Sequence, residues 1–402
     1  KVHTKGSSAA GIAFQGSGSE AVIDGSLTIS NVDGDKAEKQ GRYIGVSGIR
    51  MTGDNTSMTV TGPVNISGFK GSALHTAGAD SVISVGGGTI STAADADKSH
   101  NFYAARVEKG TVNINMKNGA PGSARTNIIG DMYVTGQYGK KVIEYSGGQL
   151  ADWQHRGNLH VALTDKDSSW TGVAAYEQYN DNYGSGGNTM HDIGNFDLYL
   201  QNGATWTNEQ QSHVTTTTLA GKNPVYNGSY LMKLHGGSDA VHKGYIYQKD
   251  SKPITVDNYS GHTLVFYDHT GDGSAAENYS AGDFRIKTAE EGSSITLRTG
   301  AGGINTADKT AAGKALNSLA NKLYYMSYAQ GDTKLKGTVE IAEGLTSSSV
   351  SASGDIAFRT DTAADKNGQG TYVYEPEEPL DGPIIKDRLL KGETTVTADD
   401  TH

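Results

Sequence analysis

EAVIDGSLTISNV (Glu20 to Val32), SMTVTGPVNISG (Ser57 to Gly68) and SVISVGGGTIST (Ser81 to Thr92) share one plan: a short alternating run, a turn rich in Gly, Asp or Pro, and a second alternating run. Alternation with a period of two gives a strand one inward and one outward face, and the turn residues supply the tight reversals between strands. GTVNINMKNG (Gly110 to Gly119), NLHVALTD (Asn158 to Asp165), FDLYLQNG (Phe196 to Gly203) and SSITLRT (Ser293 to Thr299) continue the theme. Such segments recur roughly every 20 to 40 residues, the period of a solenoid in which each repeat covers its neighbour's apolar face. An all-β, right-handed parallel β-helix is therefore predicted, with roughly 12 to 15 coils between about Gly11 and Thr299. An antiparallel sandwich competes, because alternation does not report strand direction. Asn-Gly or Asp-Gly pairs of the kind that close two-residue hairpins occur at Asp24-Gly25, Asn118-Gly119 and Asn202-Gly203, but not regularly between matched strands.

The composition agrees with a thin core. Hydrophobic residues make up 35% of the 402, Gly supplies 54 and charged residues 19%. The 21 Tyr and the recurrent Val, Ile and Leu supply enough buriable surface for an ordered chain. Cys is absent, which excludes disulfides and thiolate metal sites and is compatible with export in an unfolded state. The net charge of −10 and the scattered Lys and Arg argue against a nucleic-acid partner. No run approaches the roughly 20 apolar residues of a membrane helix.

TADKTAAGKALNSLANKL (Thr306 to Leu323) is the one convincing helical pattern, with Leu316, Leu319 and Leu323 on one face. Beyond Gly370 the sequence holds three of the seven prolines and mixed charge, the character of a linker. The predicted organisation is a β-helix over 1–305, a helix with a C-terminal capping region over 306–374, and a tail over 375–402.

LTDKDSSWTG (Leu163 to Gly172) and LQNGATWTNEQ (Leu200 to Gln210) share a strand end, a polar turn, a small residue and Trp-Thr. This layout resembles the Leu-turn-Trp repeat of pertactin-like and AIDA-like autotransporter passengers. ITVDNYSGHTLVFYDHTG (Ile254 to Gly271), followed by DFRIKTAEEGSSITLRT (Asp283 to Thr299), is similar to the paired strands near the C-terminal end of those passengers. KLYYMSYAQGDTKLKGTVEIAEGLTSS (Lys322 to Ser348) and SGDIAFRTD (Ser353 to Asp361) resemble passenger ends of the Veillonella and Selenomonas type. The likeness covers about 150–374 well and the N-terminal part only in general repeat character. It implies type V secretion, a place on the bacterial surface or outside the cell, an outer-membrane β-barrel beyond His402 as the only membrane element, and a capping role for the region after Thr306.

The expected function is adhesion: attachment to a host glycan or extracellular-matrix protein, or self-association with passengers on neighbouring cells, as in biofilms. Neither cofactor nor metal is implied. AAYEQYNDNYGSGGNTMHDIGNF (Ala174 to Phe196) breaks the coil rhythm and is expected to protrude. Its candidate ligand-binding residues are Tyr176, Tyr179 and Tyr183, for ring contact, and Asn180, Asp181 and Asn182, for hydrogen bonds. Tyr138, Tyr145, Trp153 and His155 form a second aromatic group, expected to be coil packing. The alternatives are a polysaccharide lyase or glycoside hydrolase, since β-helices host both, and an inert stalk. Carboxylates for an acid–base pair would come from Asp95 and Asp97, Asp165 and Asp167, or Asp181, Asp192 and Asp197. Asp satisfies turn backbones in any loop-rich protein, so these positions read first as turn residues. His262, Asp268 and His269 lie close in sequence but lack a Gly-Asp-Ser-Gly nucleophile. DKDSS (Asp165 to Ser169) and YNDNYGSGGN (Tyr179 to Asn188) carry oxygen ligands that suit Ca²⁺ but lack the twelve-residue loop.

Overall fold

A computed structural model describes residues 1–4, 10–31, 46–95, 98, 101–134, 157–181, 188–192, 194–212, 225–325, 335–342, 350–359, 371–376, 384–385, 388–389 and 398–399. The protein is an all-β parallel β-helix, with one α-helix among the described residues. It divides into two compact units, one comprising 1–199 and 204–232, the other 200–203 and 233–402.

In the first unit each coil is built from three strands, so three parallel stacks form three faces. The first stack runs through Ala10–Phe14, Ser47–Met51, Ser72–Thr76, Tyr103–Val107, Asp131–Val134 and Ala174–Asp181. The second runs through Glu20–Ile23, Ser57–Val60, Val82–Val85, Thr111–Ile114, Asn158–Leu163 and Asn195–Leu200. The third begins at Val2–Thr4 and continues through Leu27–Asn31, Val64–Phe69, Gly88–Thr92, Thr126–Ile129, Ser169–Thr171 and Thr205–Asn208.

Register makes like meet like. On the third face the inward positions form one ladder, Ile29, Ile66, Ile90, Ile128, Trp170 and Trp206, each the direct partner of the next. All six are fully buried, and burying a side chain of this size stabilises by roughly 1.5–3 kcal/mol. The two indoles stack with centroids 4.8 Å apart and planes 3° from parallel. Their N–H groups donate to the Gly130 and Gly172 carbonyls at 3.0 and 2.9 Å. Those glycines turn the chain from the third face to the first at φ of 135° and 152°, and a Cβ on Gly172 would run into the Gly130 carbonyl. The shared Trp-Thr layout is thus a register repeat.

The second unit stacks Gly244–Gln248, His262–Tyr267, Ser294–Thr299 and Leu335–Ile341 in parallel, and separately Ile254–Ser260, Phe284–Ala289 and Leu323–Tyr325. The helix spans Lys309–Ala320, shorter at both ends than the pattern suggests, because Asp308 caps it and Leu323 already belongs to a strand. The Asp308 carboxylate accepts from the Thr310 and Ala311 N–H groups at 2.9 and 3.3 Å. Ala312, Ala315, Leu316 and Leu319 are its buried apolar side chains, and Asn317 and Ser318 are buried with them. Val350–Arg359 then pairs antiparallel with Leu335–Ile341, and Thr371–Pro376 antiparallel with Val350–Arg359. The direction of pairing reverses at this end of the parallel stack. Short strands Ile384–Ile385 and Ala398–Asp399 pair within the segment read as a tail.

Among the described residues the strands of one face recur at longer and more variable intervals than the sequence pattern suggests. Between Leu27 and Thr299 nine strands of the face containing the tryptophan ladder and its counterpart in the second unit are described, against 12 to 15 coils predicted. Successive partners are as close as 19 residues (Tyr245 and Leu264) and as distant as 42 (Ile128 and Trp170). Excursions between strands, invisible to a minimal-period count, account for the difference.

Candidate functional site

The three faces of the first unit differ in outward chemistry. On the third, the outward rows read Thr28, Asn65, Thr89, Asn127, Ser169, Thr205 and, two residues on, Ser30 and Ser67, then past a register shift Ser91, Ile129, Thr171 and Thr207. No member carries a charge. The Ser169 hydroxyl and the Asn127 amide stand 3.0 Å apart, so this ladder is tied across strands.

On the first face Arg50, His75 and Arg106 are successive partners, followed by Tyr133. Arg106 Nη2 lies 2.7 Å from Glu108 Oε1, and His75 Nε2 lies 3.5 Å from the same oxygen. Burial pushes the Glu108 carboxyl up, but His75 and the Arg106 charge outweigh it and hold it at about 2. Burial, with Arg106 and Arg50 nearby, lowers His75 against the opposing pull of Glu108, so its imidazole is neutral at pH 7. Tyr103 and Tyr133 pack with centroids 5.7 Å apart, beside Val173, Ala175 and Tyr226. Asp131, almost wholly buried, accepts from the N–H groups of Val173, Gln211 and Ser212 and from the Ser212 hydroxyl at 2.8–3.2 Å. Burial nevertheless raises its carboxyl to about 6. Both clusters lock the face together.

A groove of about 600 Å³ lies where the second face turns into the third. One wall is laid down by consecutive coils: Thr59 and Ser84 are direct partners, with Thr61 and Gly86 at the corner beyond them. The other wall is a small hairpin, Met116–Lys117 pairing with Ala120–Pro121 around Asn118 and Gly119, whose φ values of 51° and 78° suit a two-residue turn of left-handed backbone. Asn115 anchors it. With φ of 55° and almost no exposure, its Nδ2 donates to the carbonyls of Gly122, Ala124 and Ala162 at 3.1, 2.9 and 3.0 Å, while Oδ1 accepts from the Ala124 N–H at 3.2 Å. The Gly122 N–H closes the loop on the Asn115 carbonyl at 2.7 Å. Lys117 is the one charged side chain in the lining, and the lining holds no carboxylate. The groove therefore offers hydroxyls, an amide and short apolar patches, without an acid–base pair for glycoside cleavage.

The residues singled out from the sequence lie elsewhere. Tyr176, Tyr179, Asn180 and Asp181 belong to the long strand Ala174–Asp181, which pairs antiparallel with Asn188–Asp192. In the same strand Ala175, Glu177 and Gln178 pair antiparallel with Ser229, Tyr226 and Val225. The expected protrusion is thus a strand excursion off the first face. Asn182 and Tyr183 lie outside the described residues, as do Asp97, Tyr138, Tyr145, Trp153 and His155.

The remaining candidates have local partners. Asp165 accepts from the Asp167 N–H at 2.9 Å, turn chemistry within DKDSS. Asp197 pairs with His160 at 3.4 Å. His262 is hydrogen-bonded to Ser294, whereas His269 bridges the Thr299 hydroxyl at Nδ1 and the Gly302 carbonyl, to which Nε2 donates. Asp268 lies 4.0 Å from Lys249. Among the described residues no three His, Asp or Glu converge as a metal would require. None is a helix long and apolar enough to cross a membrane.

Sequence reasoning missed the groove. NMKNGAPG (Asn115 to Gly122) carries the Asn-Gly hairpin signal, but nothing local says which wall the hairpin faces. Comparison with family models, curated proteins and solved structures finds no match.

Proposed function

We propose that this chain is a non-catalytic binding module of the bacterial surface, an adhesin of the autotransporter-passenger kind. The observation that carries the reading is the division of labour within a coil: a continuous apolar ladder inside, and outward rows and excursions of differing chemistry outside. A parallel stack of this kind presents side chains at about 4.8 Å intervals on a preorganised backbone, so binding costs little ordering. The groove and the antiparallel pair Ala174–Asp181 and Asn188–Asp192 are its elaborations. The resemblance to exported passengers supports a location at or beyond the outer membrane. The lack of a carboxylate in the groove favours binding over polysaccharide cleavage.

The test is to couple the full chain to beads and measure attachment to epithelial cells and matrix proteins, bead–bead clustering, and release of reducing ends from polysaccharides. Attachment or clustering without release supports the reading. Release of reducing ends, or complete inertness in every arm, sinks it.

A further inference from the structure

We infer that the corner groove of the first unit binds a neutral, hydroxyl-rich glycan chain; this rests on the adhesin reading and names its ligand class. Three observations converge. The first is a wall built by stacking: Thr59 and Ser84 occupy the same register in adjacent coils, so two short hydroxyl side chains stand side by side along the groove at the strand spacing. A ligand that is itself a chain of similar units matches such a wall.

The second is the mixture of groups. The lining combines Thr59, Thr61, Ser84 and Ser123, which carry hydroxyls, with the thioether-bearing Met116 and the amide-bearing Asn118. A pyranose presents the same mixture, C–H patches bordered by hydroxyls that both donate and accept. Ser84 already accepts from the Asn113 amide at 3.1 Å, which orients its remaining lone pair and proton. Lys117 is a lone exposed cation, and a solvent-exposed charge contributes little to holding a uronate or sialate. A peptide would need an aromatic or aliphatic anchor pocket, which these side chains do not form.

The third is rigidity. The hairpin wall is held by four side-chain hydrogen bonds of Asn115, a residue held by its surroundings in left-handed backbone, so the groove exists before the ligand arrives. With no ring among the lining residues for the sugar to stack on, single-site affinity is weak, on the order of millimolar, and adhesion draws on many copies.

The full chain is titrated by ligand-observed NMR with hexasaccharides of glucose, mannose, galactose and N-acetylglucosamine, and with hexagalacturonate as the anionic counterpart. At least one neutral hexamer binds; Ser123→Trp, which fills the groove from an exposed position, weakens it by about tenfold or more, and Lys117→Gln changes it by less than about threefold. Should Ser123→Trp melt early, the pair Thr59→Val and Ser84→Val removes hydroxyls from outward strand positions and takes its place, with the same loss expected. Overturning results are no neutral binder, binding that survives the blocking variant, or preference for hexagalacturonate that Lys117→Gln abolishes. Bead attachment that persists with Ser123→Trp overturns the groove while leaving the adhesin reading intact. Hexamer binding by beads that attach to nothing has the opposite meaning.

Discussion

Replacing Trp170 by Phe tests whether the indole ladder is the keystone of the central coils. Trp170 is fully buried, stacked on Trp206 at 4.8 Å, and its Nε1–H is bonded to the Gly130 carbonyl at 3.0 Å. Phe keeps an aromatic ring but removes that donor, and a buried carbonyl deprived of its partner costs about 1–3 kcal/mol. The missing ring volume, roughly 40 Å³ at about 24 cal/mol per Å³, adds about 1 kcal/mol if the cavity does not collapse. The expected loss is therefore about 2–4 kcal/mol, a large share of the roughly 5–15 kcal/mol by which native domains are stable. Trp206→Phe should cost a similar amount through the Gly172 carbonyl, and the double variant should reveal a coupling of about 0.5–1.5 kcal/mol from the stack.

Because a solenoid transmits stability mainly between neighbours, the loss should be local. Amide hydrogen exchange should speed up in Thr126–Ile129, Ser169–Thr171 and Thr205–Asn208 and stay unchanged in Leu27–Asn31. A change within about 0.5 kcal/mol would mean that the indole N–H does not anchor the corner. Uniform acceleration across the first unit would refute the nearest-neighbour account.

Three further outcomes follow from the same geometry. His75 has a folded-state pKa below its ordinary 6.5, so the unfolded chain binds more protons below that pH and stability falls on acidification; Glu108, held at about 2, adds to the loss at lower pH. Asp131, raised to about 6 from 3.8, acts in the opposite sense between those values, but is common to wild type and His75→Gln, so their difference in melting temperature should narrow as pH drops from 7 to 5; a constant difference would reject the His75 assignment. Asn115→Ala should destabilise the hairpin wall by about 2 kcal/mol or more, from carbonyls left without their donor and from the poorer fit of Ala than Asn to left-handed backbone, with hexasaccharide binding lost before the unit melts. Asp308→Ala should cost about 1 kcal/mol and quicken exchange only in the first turn of the helix, as monitored by amide exchange at Thr310 and Ala311.

How much of this was legible can be argued from Asn-Gly. At Asn118-Gly119 the pair closes a hairpin, the use that sequence reasoning associates with it. At Asn202-Gly203 the φ values are nearly the same, 55° and 86°, yet the chain turns a corner and enters a parallel stack. Local chemistry fixes the backbone of the turn but not the partner of the strand that follows. The alternation of LTISN, VNISGF and GTIST was readable as strands, and the Trp-Thr repeat marked two positions of one ladder. The helix was readable from its leucines, because burial of Leu316 and Leu319 on one face is what the 3.6 period encodes. The groove was not, because its walls come from Thr59, Ser84 and Met116, brought together only by the length of each coil.

Coil length itself is cheap to vary, and this links the fold to its use. Closing a connection costs about (3/2)RT ln n, so lengthening the step between partners from the 24 residues separating Asn65 and Thr89 to the 42 separating Ile128 and Trp170 costs only about 0.5 kcal/mol. One buried isoleucine of the inner ladder outweighs that several times over. Excursions can therefore be added to any coil without endangering the stack, provided that the inward register and the corner glycines are kept. The inside of the protein answers to packing, and the outside remains available for recognition. The groove between the Thr59–Ser84 wall and the Asn115-anchored hairpin is what such freedom produces: a shaped surface on a scaffold whose stability does not depend on it.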